Sequence, residues 1–363
     1  MTLWADDNDD VTFEVVCNDE GQHSVWPTTQ ALPAGWCRTG SSGTRDECLD
    51  EVERRWTDLR PRSVRAAVAA TVDDGSGPAL PIHLLVERAP GLAGSDVAMR
   101  CGEVTLSRAE LFQTSRAWAG VLAGAGCGPE VPVAILVPRS VDALVAIFAV
   151  LHAGSAYVPL SPAESVDRLL AVLDDCGRPL VLAEDDAASR LSAYRGRVMT
   201  LAELRSRAHA GASQLATPAN VSTDNLAFVV YTSGTTGEPK GVEGIHRQLT
   251  NYARWCARAF PHRPGEWTVL HAPLSFLGSM TNIFTPLLAG WPIEIASEGA
   301  TVDDLLELTG RVPVGLLKLT PTHVRMMLAR GAADRGVARQ LMIGSEPLVM
   351  TDELAAWIGG DRS

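Results

Sequence analysis

Apolar positions follow two rhythms along the chain, and the change of rhythm divides it. Near the start, VTFEVVCN (Val11 to Asn18) alternates apolar and polar residues as a half-buried strand does, while RDECLDEVERRW (Arg45 to Trp56) repeats them at helical spacing. Residues 64–80, VRAAVAATVDDGSGPAL, are small and carry a DDGSGP run, which predicts a linker. Fully extended, that stretch would span roughly 55 Å. From Pro81 onward the pattern changes to short apolar runs separated by amphipathic segments. VPVAILV (Val131 to Val137), PLVLAE (Pro179 to Glu184), LAFVVYT (Leu226 to Thr232), WTVLHA (Trp267 to Ala272) and GLLKLT (Gly315 to Thr320) predict buried strands, and the segment from Val141 predicts a helix. Strands alternating with helices imply an α/β fold, a mostly parallel sheet covered by helices. The predicted organisation is a first domain at 1–63, a linker at 64–80 and a larger domain at 81–363.

Composition narrows the function classes. A chain of 363 residues with 46% hydrophobic and 20% charged content is a folded, multidomain protein. Its net charge of -12 offers no basic face to nucleic acid, so no nucleic-acid partner is expected. The opening MTLWADDNDD is acidic where a signal peptide is basic. The longest apolar run, VDALVAIFAVLHAG, falls short of the roughly 18–20 residues of a membrane span, so no membrane association is expected. The seven cysteines are scattered with no CxxC pair, which predicts reduced thiols in a cytoplasmic protein. Of 31 basic residues only two are lysines, Lys240 and Lys318. A compact ammonium differs from the planar guanidinium used everywhere else, so both positions ask for a specific reason.

In the first domain, Asn18, Glu20, Gln22, Ser24, Trp26, Pro27, Pro33, Gly35, Trp36, Cys48, Leu49, Trp56, Asp58, Arg60 and Pro61 occur in order. Taken singly, each Trp is explained by the aromatic core of a very small domain. The ordered string resembles the MbtH-like family. That resemblance implies a small α+β domain without catalytic residues that binds and supports adenylation domains, with Ser24, Trp26 and Trp36 at the contact. Trp is a favoured interface anchor, which suits that role.

The most chemical segment is YTSGTTGEPKGV (Tyr231 to Val242), directly after a predicted strand. Its small hydroxyl and glycine residues let backbone N–H groups approach a polyphosphate, and Lys240 adds a mobile positive charge. It is not a Walker loop, since GxxxxGK[ST] is absent. A generic Gly/Ser/Thr turn is the plain alternative for a shorter string. The full string resembles the phosphate loop of the acyl-adenylate-forming superfamily, and LSRAEL (Leu106 to Leu111) and LHAGSAYVPLSP (Leu151 to Pro162) resemble further motifs of its peptide-synthetase adenylation branch. The resemblance implies ATP as cosubstrate with Mg²⁺, and binding of phosphate by Thr232, Ser233, Gly234, Thr235, Thr236, Gly237 and Lys240, with Thr235 and Lys240 in the catalytic role. It implies no metal ligand in this segment.

HAPLSFLGSMTNIFTPLLAG (His271 to Gly290) resembles the family segment that opens the amino-acid pocket. The family places an Asp after the aromatic residue to pair with the substrate ammonium, but here Leu277 follows Phe276. Leucine accepts no hydrogen bond, so the amino group must be held elsewhere, shifted or absent. The same resemblance places Gly278, Thr281, Lys318, Met342 and Gly344 around the pocket. A Lys inside an apolar strand is costly unless an anion meets it, whether from a ligand or from an internal salt bridge, or unless its stem lets the ammonium snorkel to water. Thr281, Lys318 and Gly344 together resemble pockets for aspartate-like side chains. IGSEPL resembles the loop that lies against adenine, which assigns Gly344, Ser345, Glu346 and Pro347 to the adenine side. His271 is a lone histidine near the pocket mouth, and a structural role is the expectation.

The resemblance implies that family members continue past Ser363 into a small C-terminal subdomain with a further catalytic Lys. It also implies the reaction: amino acid plus ATP gives acyl-AMP and pyrophosphate, and the acyl group then loads a peptidyl carrier protein in nonribosomal peptide synthesis. The MbtH-like domain would serve the adenylation core in cis or in trans. Two further readings stay open from sequence, an acyl-CoA or aryl-acid ligase and a non-catalytic scaffold that presents the MbtH-like domain.

Overall fold

Backbone hydrogen bonding sorts the strands among the described residues into three sheets. The computed structural model describes residues 12–33, 35–56, 62, 80–89, 92–211, 220–233, 239–332, 336–348, 354 and 357. Contacts divide the chain into two compact units, Met1–Gly77 and Pro78–Ser363.

In the first unit, β1 (Phe13–Asn18) lies between β2 (His23–Pro27) and β3 (Trp36–Gly43), antiparallel to both. The turn from β1 to β2 is held by Asn18, whose Oδ1 accepts from the Gln22 N–H at 2.9 Å and whose amide donates to Gln22 Oε1 at 2.8 Å. The helix Arg45–Arg55 opens on a capping box, with Thr44 and Glu47 each accepting from the other's backbone N–H. Val15, Val16 and Cys48 form the buried centre. Glu14, Val16 and Asn18 alternate along β1 and face Trp26, Ser24 and Trp36 across the ladders. Residues opposite one another share a sheet face, so Ser24, Trp26 and Trp36 project from the same side.

The second unit has two six-stranded sheets. One runs β11 (Pro239–Ile245), β10 (Leu226–Ser233), β7 (Ala156–Pro159), β6 (Pro132–Leu136), β8 (Leu180–Ala183), β9 (Val198–Thr200). The other runs β15 (Gln340–Ile343), β14 (Val314–Leu319), β12 (Trp267–Leu270), β13 (Ile293–Ile295), β4 (Val97–Cys101), β5 (Val104–Ser107). Each is parallel except for one hairpin at an edge, β10–β11 in the first and β4–β5 in the second. The expected α/β architecture of mostly parallel sheets with helices is thus observed, and the parallel strands are continuous apolar runs because both of their faces are covered.

Between the sheets lies the helix Val141–His152, buried at every position except Asp142 and capped by Ser140, whose Oγ accepts from the Ala143 N–H. Gly154, at φ 87, then turns the chain into β7. An aromatic chain crosses the core: Phe148 to Phe284 at 5.8 Å, Phe284 to Tyr157 at 6.3 Å and Tyr157 to Phe228 at 6.1 Å between ring centroids. Two buried features have polar chemistry. Arg139, just past β6, donates from Nε to the Ala296 carbonyl at 2.7 Å and from Nη2 to that of Ser297 at 2.6 Å, just past β13. It thereby fastens the two sheets at their carboxyl ends. Three buried imidazoles form a cluster, His83 lying 5.0 Å from His152 and 5.4 Å from His246.

Candidate active site

Parallel strands end together, and side chains just beyond their carboxyl ends converge. β12, β14 and β15 do this here. Lys318 is the penultimate residue of β14 and pairs with Met342 of β15, while the Gly344 N–H continues the ladder onto the Leu319 carbonyl at 3.1 Å. His271 follows β12 and reaches back to the same strand, its Nε2 lying 2.7 Å from the Lys318 carbonyl oxygen. An imidazole nitrogen facing a carbonyl must carry the proton, so Nδ1 holds the lone pair. Burial pushes His271 down to about 4, which keeps it neutral near pH 7. Its ring packs edge-on against His323 at 4.9 Å. His271 thus positions the strand that carries Lys318, as a structural histidine would.

The Lys318 ammonium is half-buried. Nζ donates to the Gly278 carbonyl at 3.2 Å and to Thr281 Oγ1 at 2.9 Å. Thr281 is itself buried, and its hydroxyl also meets Tyr252 OH at 2.7 Å. No carboxylate pairs with Lys318 among the described residues, and burial lowers its pKa. A third N–H remains for a ligand.

Two cavities open beside this lysine. One, of about 520 Å³, is lined by Phe228, Gln248, Leu249, Tyr252, Phe276, Leu277, Gly278, Met280, Lys318 and Ser345. The other, of about 340 Å³, is lined by His271, Ala272, Pro273, Ser275, Phe276, Gly278, Lys318, Leu319, Thr320, His323 and Ser345. Phe276, Gly278, Lys318 and Ser345 belong to both. Neither lining contains Asp or Glu among the described residues. Glycine at 278 leaves room for its neighbours: a Cβ there would sit 2.5 Å from Phe276 Cε1 and 3.2 Å from Lys318 Nζ, so those side chains would have to shift.

The structure therefore brings together Phe276, Leu277, Gly278, Thr281, Lys318 and Ser345 from the sequence expectations. Thr281 lies against Lys318 Nζ and is on the lining of neither of these two cavities, nor are Met342 and Gly344. Glu346 turns to the helix Pro321–Leu328, accepting from the Thr322 N–H at 3.0 Å and from its hydroxyl at 2.6 Å. Pro347 is exposed beside it. Sequence reasoning missed Phe228, Gln248, Leu249, Tyr252 and Met280. Gln248 and Tyr252 are spaced i, i+4 on the helix His246–Ala259, which marks a shared face but not what it meets.

At the end of β10, Thr232 lies opposite Lys240 of β11, and Ser233 opposite Pro239. Thr232 and Lys240 are exposed on one face of this hairpin. Lys240 has no ion-pair partner among the described residues, so its ammonium can meet an anionic phosphate. Gly234, Thr235, Thr236 and Gly237 fall outside the described residues. No group of three His, Cys, Asp or Glu side chains able to hold a metal occurs among the described residues.

An apolar cavity with one cation at the carboxyl ends of parallel strands is suited to an anionic organic ligand. Residues 86–358 match the family model of the AMP-binding enzyme, and residues 3–68 match that of the MbtH-like protein. The chain belongs to the AMP-binding enzyme family and carries an MbtH-like domain ahead of its AMP-binding domain. It is homologous to adenylation domains of nonribosomal peptide synthetases, being 33% identical to tyrocidine synthase 3 of Brevibacillus parabrevis over 251 residues, 69% of this chain and 4% of that protein. The chain thus spans a small part of the curated relatives it matches. Among solved structures, VinN in complex with L-aspartate is similar in fold, with TM-score 0.67 and 23% identity over 77% of this chain and 73% of VinN. ATP-bound MatB from Rhodopseudomonas palustris is similar at TM-score 0.68 and 24% identity, over 77% of this chain and 58% of MatB. Among the described residues, no helix is long and apolar enough to cross a membrane.

Proposed function

We propose that this chain is the acid-activating part of a cytoplasmic enzyme that adenylates an aspartate-like amino acid. The reaction gives acyl-AMP and pyrophosphate, and the acyl group passes to the thiol of a peptidyl carrier protein. Residues 1–63 act as the built-in MbtH-like activator, 64–80 as linker and 81–363 as the adenylation core, with Ser24, Trp26 and Trp36 as the activator's contact face. Family membership supports the adenylation chemistry. The observation that carries the choice of acid is Lys318: a half-buried ammonium with a donor left over, facing a largely apolar cavity. A second carboxylate on the substrate supplies the missing anion. VinN, similar in fold, is known in complex with L-aspartate, which supports the same choice.

ATP fits the residues present. Lys240 and Thr232 face one another at the end of the β10–β11 hairpin, where the 232–240 segment would hold the triphosphate and Lys240 would balance charge on it. The 344–347 loop takes the adenine side. Mg²⁺ would arrive on the phosphates, as a hard cation commonly does. The described residues offer it no ligand set, and no step is assigned to it.

One observation favours a second reading. The absence of Asp and Glu from both linings among the described residues leaves an α-ammonium without a counter-charge there. An amine-free acid, as used by an acyl-CoA or aryl-acid ligase, needs none. Substrate-dependent ATP–pyrophosphate exchange on the intact protein separates the two. Exchange with aspartate-like acids, lowered at least tenfold in Lys318→Ala, is the expected result. Exchange confined to amine-free or neutral acids would favour the second reading.

A further inference from the structure

The cysteines are scattered along the chain, but the first unit's sheet brings two of them face to face. Cys17 of β1 stands directly opposite Cys37 of β3, next to Asn18 and Trp36, the last pair of that ladder. In no other ladder among the described residues does cysteine oppose cysteine. Residues opposed across an antiparallel ladder project from the same face, with Cα atoms about 4.5–5.5 Å apart. A disulfide spans about 4.4–6.8 Å between Cα atoms, so the backbone register already holds the pair within range. The Cβ atoms of such a pair lie about 4.5–5.5 Å apart against the about 3.5–4.5 Å of a disulfide, so β3 has to close by about 1 Å. The place allows it: β3 is an edge strand, the pair is near the ladder's end, and the β1–β3 register already shifts between Glu14 and Val16. Both thiols are free, Cys37 exposed and Cys17 half-buried. Cys17 Sγ donates to the carbonyl of its neighbour Asn18 at 3.3 Å, a weak bond that a rotation of the side chain gives up.

We propose that Cys17 and Cys37 form a redox site in the MbtH-like domain, closed to a cross-strand disulfide by a low-molecular-weight disulfide of the glutathione type. The exposed Cys37 thiolate attacks one sulfur of oxidised glutathione, forming a mixed disulfide and releasing one glutathione thiolate. The Cys17 thiolate then attacks Cys37 Sγ, breaks the mixed bond and releases the second glutathione thiolate. The two protons lost by the cysteines end on the two glutathiones, and two electrons pass from the protein to them. Reduced glutathione reverses both steps. A disulfide that is exposed and needs the strands to close up is of the labile kind, and transient bridges of that kind are the ones a reducing compartment admits. Alternate residues of a strand point to opposite faces, so the bond fastens the end of the ladder from the side away from the Trp36 indole. The site needs the β1–β3 register alone and stands independently of the acid that the adenylation core takes.

The test equilibrates the full chain with oxidised and reduced glutathione at graded ratios, quenches it in acid, alkylates the remaining thiols and digests it for mass spectrometry. Trypsin with a glutamate-specific protease cuts after Glu14, Glu20 and Arg38, which puts Cys17 and Cys37 on separate peptides, 15–20 and 21–38. The expected result is recovery of these two peptides joined to each other, and separate again after treatment with dithiothreitol. The link should form at a ratio of oxidised to reduced glutathione about tenfold lower in the folded chain than in the chain unfolded by urea, because the register raises the effective concentration of one thiol at the other. Cys17→Ser should stop at the mixed disulfide on Cys37. Both peptides recovered alkylated at every ratio would overturn the site. So would an unsubstituted chain that stops at mixed disulfides, or one that joins either cysteine to a different cysteine. A link formed no more readily in the folded chain than in the unfolded one overturns it as well, since the register would then contribute nothing.

Discussion

Thr281 shows how much one hydroxyl can organise. It accepts from the Lys318 ammonium and shares a hydrogen bond with Tyr252 OH, inside a helix, Ser279–Ala289, that is buried over most of its length. Thr281→Val keeps the shape and removes both bonds. It should cost about 1–3 kcal/mol in urea unfolding, since a half-buried phenol and a half-buried ammonium lose a partner. Aspartate binding should weaken in the same variant because the ammonium is no longer held in place. Lys318 was legible in the sequence, being one of two lysines and lying in an apolar strand. Leu277 was legible as a departure from the family, and it sits on the cavity wall where the substrate segment was expected. Ser345 was legible only as part of a loop. Its place on the lining of both cavities depends on a parallel register between two strands with a whole helix between them in the chain, and no local pattern in either strand encodes that pairing. Tyr252 was hidden for a similar reason: an aromatic on an amphipathic helix is ordinary until the helix is placed.

At the scale of elements, runs such as PLVLAE, WTVLHA and GLLKLT form the strands β8, β12 and β14 because parallel strands covered on both faces are uniformly apolar. The two edge hairpins did not show themselves in this way. β11, PKGVEGI, is largely exposed and contains two glycines, so its periodicity is weak and gives no sign of its pairing with β10. Nor could alternation alone divide the strands between two sheets. Helix ends were clearer. Gly290 closes the helix Ser279–Ala289 in the left-handed region at φ 86, and a Cβ there would come within 2.5 Å of Leu92 Cδ2. Gly290→Ala combines backbone strain with overpacking and should destabilise by about 2–4 kcal/mol, read as a lowered melting temperature in calorimetry.

Across the larger unit, two features govern stability. Arg139 joins the carboxyl ends of both six-stranded sheets through the Ala296 and Ser297 carbonyls. Arg139→Ala should cost about 2–4 kcal/mol, and Arg139→Lys should recover only part of it because an ammonium cannot reproduce the fork. Paired urea titrations would check both variants. The buried histidines set the acid limit. Burial holds His83 well below its ordinary value and pushes His246 down to about 4. Between the unfolded value near 6.5 and the folded one, the unfolded chain takes up a proton that the folded chain excludes. Stability is therefore insensitive to these two groups above pH 6.5 and falls as pH drops below it, over the window down to about 4 in the case of His246. Urea midpoints from pH 7.5 to pH 4.5 would show this slope, and His246→Leu should flatten it. A last consequence concerns how this site can change. Because Phe276, Gly278, Lys318 and Ser345 form a party wall between two compartments, any substitution there is pleiotropic and retunes both at once. Leu249 and Met280 on one side, and Ala272 and Ser275 on the other, belong to single compartments, so one-sided drift in ligand preference is open to them and closed to the wall.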